Sequence, residues 1–162
     1  MKGGKKLKKR RRMLMEGKEP LIIFKYGDKA LTNGAGISNG DMLNGYIEIA
    51  SSPWDDGQYL MGHEQIRGID FKGYKKLCYR VNVPNWTATY PSWDVAIGYA
   101  SNSSSYDPAN WTRRATFGSV GTRSGEISLD NVKEGDFIHL LANGGTTDGN
   151  YARLYVYDLW LE

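Results

Sequence analysis

Apolar and polar residues alternate in short runs along most of this chain, and the repeat is two residues long. Positions 74–83 show it best. Lys75, Leu77, Tyr79, Val81 and Val83 fall on one side, and Tyr74, Lys76, Cys78, Arg80 and Asn82 on the other. An extended strand points successive side chains to opposite faces, so this segment predicts a half-buried β-strand. Lys75 fits the apolar side only at its end, where a long stem carries the charge to water. Trp93–Ala100 repeats the pattern, with Trp93, Val95, Ile97 and Tyr99 opposite small residues. Further strands are expected at Leu21–Tyr26, Gly45–Ala50, Gln58–Met61, Ile66–Phe71 and Glu126–Leu129. Asp136–Ala142 is apolar on both sides and reads as a central strand. In Tyr151–Glu162, Leu154, Val156 and Trp160 share one side, while Tyr155, Tyr157, Leu159 and Leu161 share the other. A buried middle strand, a bulge and a subunit contact all explain that two-sided pattern, and the choice stays open.

Turn residues separate these runs at roughly 8–12-residue spacing. No stretch keeps a helical period with caps, and Met13–Lys18 predicts one helical turn at most. The expected fold is therefore all-β: a jelly-roll β-sandwich of about eight or nine antiparallel strands, with two sheets burying their alternating faces against each other. Glycine and aromatic content agree with it, at 20 Gly in 162 residues and 12% aromatics. The single cysteine, Cys78, excludes an intrachain disulfide and a Cys-based zinc site. No apolar run approaches the ~18 residues of a membrane span.

Charge divides the chain in two. Residues 1–12 hold eight of the 21 basic side chains (Lys2, Lys5, Lys6, Lys8, Lys9, Arg10, Arg11 and Arg12) and no acid. That leaves 13 basic against 18 acidic residues in the rest, so a net charge of +3 conceals a basic arm on a body of −5. The division expected is a basic arm over residues 1–20 and a β-sandwich domain over residues 21–162. The arm resembles the charged start of a signal peptide, but Met13-Leu14-Met15 breaks at Glu16-Gly17 before an apolar segment of about 7–15 residues can form. Neither a signal peptide nor a membrane span is expected. Like charges repel and bury nothing, so the free arm should be unstructured. Lys5, Lys6, Lys8, Lys9, Arg10, Arg11 and Arg12 are the candidate anchoring residues. Their density suits nucleic-acid phosphates, an acidic groove on another protein, or simple solvation.

Motifs with catalytic overtones mostly fail on context. Gly36-Ile37-Ser38-Asn39-Gly40 matches the serine-hydrolase elbow in letters only, because glycine- and asparagine-rich loop flanks it on both sides. His63-Glu64 begins like a zinc-protease motif but lacks the second histidine. His139 sits in an apolar strand, far from His63 in sequence, and reads as a core or interface residue. Gly144–Gly149 is followed by Asn150 rather than Lys, so it is no phosphate loop. Asp55-Asp56 lies in a turn and makes a poor glycosidase pair. Asp55, Asp56 and Asp148 could offer loop oxygens to calcium, but no calcium-loop spacing supports that. No catalytic residue, metal site or cofactor is expected.

Two loops combine aromatics with short polar residues: Pro84–Trp93 and Ser101–Trp111. Trp86, Tyr90, Tyr106 and Trp111 are candidates for contact with a glycan or a protein, since aromatic side chains dominate contact energies. Folding back to cover the ends of the sandwich is the competing role. Trp93 reads as core.

Several segments together resemble a known family. They are Ile22-Ile-Phe-Lys-Tyr-Gly-Asp28, the Thr-Asn-Gly loop after it, Ile69-Asp-Phe-Lys-Gly-Tyr-Lys-Lys-Leu-Cys78 and the closing Leu154-Tyr-Val-Tyr-Asp-Leu-Trp-Leu-Glu162. In this they look like a module of phage and prophage proteins of Firmicutes. The resemblance covers residues 21–162. It implies a sandwich similar to carbohydrate-binding, galactose-binding-like jelly rolls, found in tail fibres, baseplates and other virion proteins. It departs from the family in having Asn33-Gly-Ala-Gly36 in place of a Gly-Gly-Trp element, and a short basic arm in place of a longer upstream fibre. That arm also suits a capsid decoration or head-fibre protein. The resemblance implies a non-enzymatic virion protein, made in the host cytoplasm. Its expected partners are capsid or tail proteins, with bacterial surface glycan and packaged nucleic acid as further options. A homo-oligomer, a trimer, is implied as well.

Overall fold

The computed structural model describes residues 18–31, 35–37, 45–53, 59–60, 62–85, 94–101, 107–144 and 151–162. Among these the chain forms strands β1 (Leu21–Phe24), β2 (Gly36–Ile37), β3 (Ile47–Ala50), β4 (Ser52–Pro53), β5 (Tyr59–Leu60), β6 (Gly62–Arg67), β7 (Lys76–Val83), β8 (Asp94–Ala100), β9 (Arg113–Thr116), β10 (Gly121–Ser128), β11 (Phe137–Asn143) and β12 (Arg153–Leu161). A 3-10 turn at Pro108–Asn110 is the one helical element described. No helix of the described residues is long and apolar enough to cross a membrane.

All strand pairings are antiparallel and make two five-stranded sheets plus the β4–β5 ribbon. In sheet I, β12 lies centrally and β7 pairs with one of its sides, followed by β10. The other side of β12 is shared, with β1 pairing along Leu159–Leu161 and β3 along Arg153–Val156. Sheet II runs β2-β6-β11-β8-β9. The chain changes sheet at nearly every step; among consecutive strands only β8 and β9, and the β4–β5 ribbon, stay together.

Alternation puts one face of each sheet into a shared core. Leu77, Tyr79, Val81 and Val83 of β7 join Ile47, Ile49, Leu154 and Val156 from sheet I, and Ile66, Val95, Ile97, Tyr99, Ile138 and Leu140 from sheet II. Each fully buried aliphatic side chain contributes about 1.5–3 kcal/mol. Tyr99 is wholly buried, and its hydroxyl donates to the Ser128 carbonyl at 2.7 Å. That bond satisfies the phenol inside the core and ties sheet II to sheet I. The all-β expectation holds, as two antiparallel sheets packed face to face. β11 takes the central place in sheet II that its two-sided apolarity predicted.

Three strands depart most from expectation. The strand placed at Ile66–Phe71 is β6, which ends at Arg67. The chain then reverses, and Asp70 Oδ1 accepts the Lys72 amide at 3.0 Å, a local bond that competes with sheet pairing. β10 runs from Gly121 rather than Glu126, because its exposed positions Thr122 and Ser124 face water and its opposite positions include Gly121 and Gly125. β9 is an edge strand of Arg113, Arg114, Ala115 and Thr116, without the apolar alternation that marks a half-buried strand. Trp93, the Ser38 region and most of the expected Met13–Lys18 turn lie outside the described residues.

In β12 a bulge resolves the two-sided pattern. Pairing with β7 slips between Val156 and Asp158. Leu154 and Val156 before the slip and Leu159 and Leu161 after it all point into the core. Tyr155, Tyr157, Asp158 and Trp160 are left half-buried on the outer face. A bulge inserts one residue into the repeat, which is how both leucines change sides.

Candidate functional site

The outer face of sheet I can be read as rows across its strands. Glu48, Tyr155, Asn82 and Thr122 stand in register in one row. The next holds Asp158, Arg80 and Ser124, and a third holds Ile22, Trp160, Cys78 and Glu126. Tyr46 precedes β3 and reaches both Tyr155 and Tyr157, with ring centroids 4.9 and 6.4 Å away. Tyr26 meets Tyr157 edge-on at 5.1 Å and is 58% exposed.

Local sequence fixes Tyr26 there. The turn Lys25–Asp28 closes through the Asp28 amide donating to the Lys25 carbonyl at 2.9 Å, while Asp28 Oδ2 accepts the Lys25 amide at 3.0 Å. Gly27 has a φ of +97°, a conformation glycine takes without strain. The Tyr26 amide then donates to Asp158 Oδ1 at 3.0 Å. The other oxygen, Oδ2, accepts Arg80 Nε–H at 2.6 Å. The Arg80 guanidinium also lies over the Tyr157 ring at 4.9 Å and the Tyr26 ring at 5.8 Å. Thr122 Oγ1 donates to Asn82 Oδ1 at 3.1 Å beside it. Burial, then the Glu48 carboxylate, raises the pKa of Tyr46, so its hydroxyl stays protonated and able to donate. Burial pushes the Cys78 thiol up to about 11, which leaves it unreactive at neutral pH. The face therefore offers flat aromatic surface beside a guanidinium, a carboxylate, an amide and hydroxyls.

Sheet II carries a different outer face. Along its later part β8 presents Ala96, Gly98 and Ala100 there, and the indole of Trp111 fills the trough they leave. A Cβ at Gly98 would stand 2.7 Å from Trp111 Cε3 and run into the Arg113 carbonyl, so this close approach requires glycine. Trp111 follows the 3-10 turn, which Asp107 opens by accepting the Ala109 amide at 2.9 Å. Its own amide donates to the Pro108 carbonyl at 3.1 Å, as does Arg114 Nη1 at 3.0 Å.

Beside the indole are both histidines of the chain. His139 is fully buried, with its ring 5.3 Å from that of Trp111. His63 Nε2 and His139 Nδ1 are 2.9 Å apart, although 76 positions separate them in sequence. The ring planes differ by 19° and the centroids lie 5.2 Å apart. With nitrogens at 2.9 Å, so long a centroid distance means the rings meet head-on, the N–H of one donating to the lone pair of the other. Such a line accommodates one shared proton; a tetrahedral metal site needs donors converging on a common point. Burial is the larger cause, and His139 the smaller, that pushes His63 down to about 4. Burial also lowers His139, against backbone groups of Ser101 and Ala100 and the Asp136 carboxylate. Glu64 follows His63 on β6 and so faces the opposite way, opposite Leu140 and into the sandwich. Among the described residues no group of three or more His, Cys, Asp or Glu side chains could hold a metal ion.

Of the loop aromatics expected to make contacts, Trp86, Tyr90 and Tyr106 lie outside the described residues, as do Lys5, Lys6, Lys8, Lys9, Arg10, Arg11 and Arg12. Trp111 is 5% exposed. The contact role expected of it is corrected: its ring is spent on covering Gly98 and His139 and has no open face for stacking. The tyrosine face went unseen because no local motif marks it. The signal available was the second apolar side of Tyr151–Glu162, whose Tyr155 stands across from Asn82 and whose Tyr157 meets the Arg80 guanidinium once β7 and β12 pair.

Compared with known proteins, the chain matches no family model, no curated protein and no solved structure.

Proposed function

We propose that the chain is a non-enzymatic bacteriophage virion protein: a galactose-binding-like jelly-roll sandwich displayed on the particle and attached by its basic arm. The observation that carries this reading is the division between charge and core. Residues 1–12 concentrate eight basic side chains, whereas the core takes its first described residue at Ile23. The frequent change of sheet from strand to strand supports the jelly-roll form. Lys5–Arg12 would pin the domain to capsid or tail proteins, or to packaged genome, in a homo-oligomeric appendage. Deleting residues 1–12 and measuring incorporation into particles tests the anchor. Incorporation should fall at least tenfold; undiminished incorporation removes the anchoring role.

A second reading, a glycan-binding module that recognises the bacterial surface, is favoured by the aromatic and polar outer face of sheet I. The two readings are compatible on one particle.

A further inference from the structure

We propose that the outer face of sheet I is a saccharide platform, with Tyr26, Tyr46, Tyr155 and Tyr157 as its stacking surface and Arg80, Asp158 and Asn82 as its hydrogen-bonding groups. This rests on the glycan-binding reading and gives it a place and a ligand class, a neutral pyranose chain. A pyranose presents C–H groups on its faces and hydroxyls around its rim, and this face offers a partner to each.

Four observations carry the assignment. The β12 bulge gives up regular pairing and leaves neighbours Tyr157 and Asp158 together on the outer side. Bulges are enriched next to sites, where they re-aim side chains. The platform is also built in advance. Tyr157 is held by Tyr26, Tyr46 and Arg80, and Asp158 by Arg80 and the Tyr26 amide, so ordering is completed on folding rather than on binding.

Composition then separates a sugar from a protein. Protein interfaces deplete charge at their core and keep it at the rim. Here the Arg80–Asp158 pair sits among the rings, with Asn82 and Thr122 adjoining on one side, and the exposed aliphatic Ile22 stands at the sheet's far strand in the row on the other, beside Trp160. Lastly, charge excludes an anionic polymer. Arg80 and Lys76 are paired with Asp158 and Glu126, and the exposed Arg153 at the start of β12 is offset by the Glu48 carboxylate in the Tyr155 row. Phosphate binding needs unneutralised cations, and this face has no surplus of them.

The test titrates the full chain with soluble oligomers of glucose, galactose and N-acetylglucosamine, read by calorimetry and by NMR shifts. Three variants probe the face, Tyr26→Ala, Tyr155→Ala and Arg80→Gln, with Trp111→Phe as a control on the opposite side. Tyr26 is exposed, so Tyr26→Ala should stay folded, with a melting temperature within about 4 °C of the parent. At least one oligomer should bind saturably, and each of the three face variants should weaken it by roughly tenfold, while Trp111→Phe leaves it unchanged. Binding that survives all three face variants overturns the platform but leaves a glycan-binding module intact. If none of the oligomers binds, both fall. Self-association of the full chain that Tyr26→Ala abolishes, with no oligomer bound, overturns the proposal in favour of a subunit interface.

Discussion

Sheet I and sheet II contribute inner faces of the same kind to one core, yet their outer faces are finished by opposite means. On sheet II the outward residues of β8 shrink to Ala96, Gly98 and Ala100, and a ring from a following loop fills the space. On sheet I the strand residues are themselves large, and Tyr155, Tyr157 and Trp160 remain half-buried with no described element laid over them. The first arrangement buries its aromatic for stability. The second holds its aromatics in place through ring contacts and Arg80, and keeps them accessible. An aromatic side chain in such a domain thus says little by itself. What stands opposite it in the sheet decides whether it covers or presents.

The sharpest way to break this comparison is to truncate one aromatic on each side. Trp111→Ala empties the trough over Gly98 and His139 and should cost about 3–5 kcal/mol, as large buried aromatics do. Tyr26→Ala, at 58% exposure, should stay within about 0.5–1 kcal/mol. Urea denaturation at neutral pH measures both. Comparable losses at the two positions would show that Trp111 is no more structural than Tyr26.

Acid should separate the faces next. His63 has its folded pKa lowered from 6.5 to about 4, and His139 is lowered too. Between those limits the unfolded chain binds more protons than the folded one, so stability is complete above pH 6.5 and declines as pH falls toward about 4. Below that the contribution levels off. The size should be on the order of 1–2 kcal/mol, after allowing for the partial exposure of His63. His63→Gln should flatten this part of the profile, and NMR of the two imidazoles should show titration below the ordinary range. A profile unchanged by His63→Gln would mean that the pair does not resist protonation.

Much of the fold was legible, and the reason is physical. Where one face is buried and the other wet, as in Leu77–Val83 or Val95–Tyr99, hydrophobic alternation is forced and can be read directly. Arg113–Thr116 escaped notice because an edge strand can be held by backbone bonds alone. The closing strand was legible only down to three alternatives, since a bulge shifts the phase by one residue and leaves no composition mark. The sites were less legible still. His63 and His139 meet because β6 and β11 are neighbours with Leu141 opposite His63, a register that the sequence does not spell out. Trp111 looked available because its loop is polar, and nothing local reveals that Gly98 leaves room beneath it.

The smallest effect tests what holds the sheet I face in shape. Asp158 has two tasks, an ion pair with Arg80 and acceptance of the Tyr26 amide. Asp158→Asn keeps an acceptor for the amide and removes the charge. Both partners are partly exposed, at 38% and 25% of their side chains, so the charge term should be about 0.5–1 kcal/mol and should shrink in high salt. Asp158→Ala removes the acceptor as well and should cost up to about 1 kcal/mol more, because the Tyr26 amide loses its partner. If Asn proves as costly as Ala, the ion pair alone positions the tyrosines. If Asn costs only that small charge term and Ala clearly more, the backbone bond between the turn and the bulge sets the geometry, and Arg80 remains at liberty to bond a ligand. The second result is the one expected of a face built to bind, because an ion pair that contributes so little lets the guanidinium keep its place on Tyr157 while it exchanges its carboxylate partner for an incoming hydroxyl.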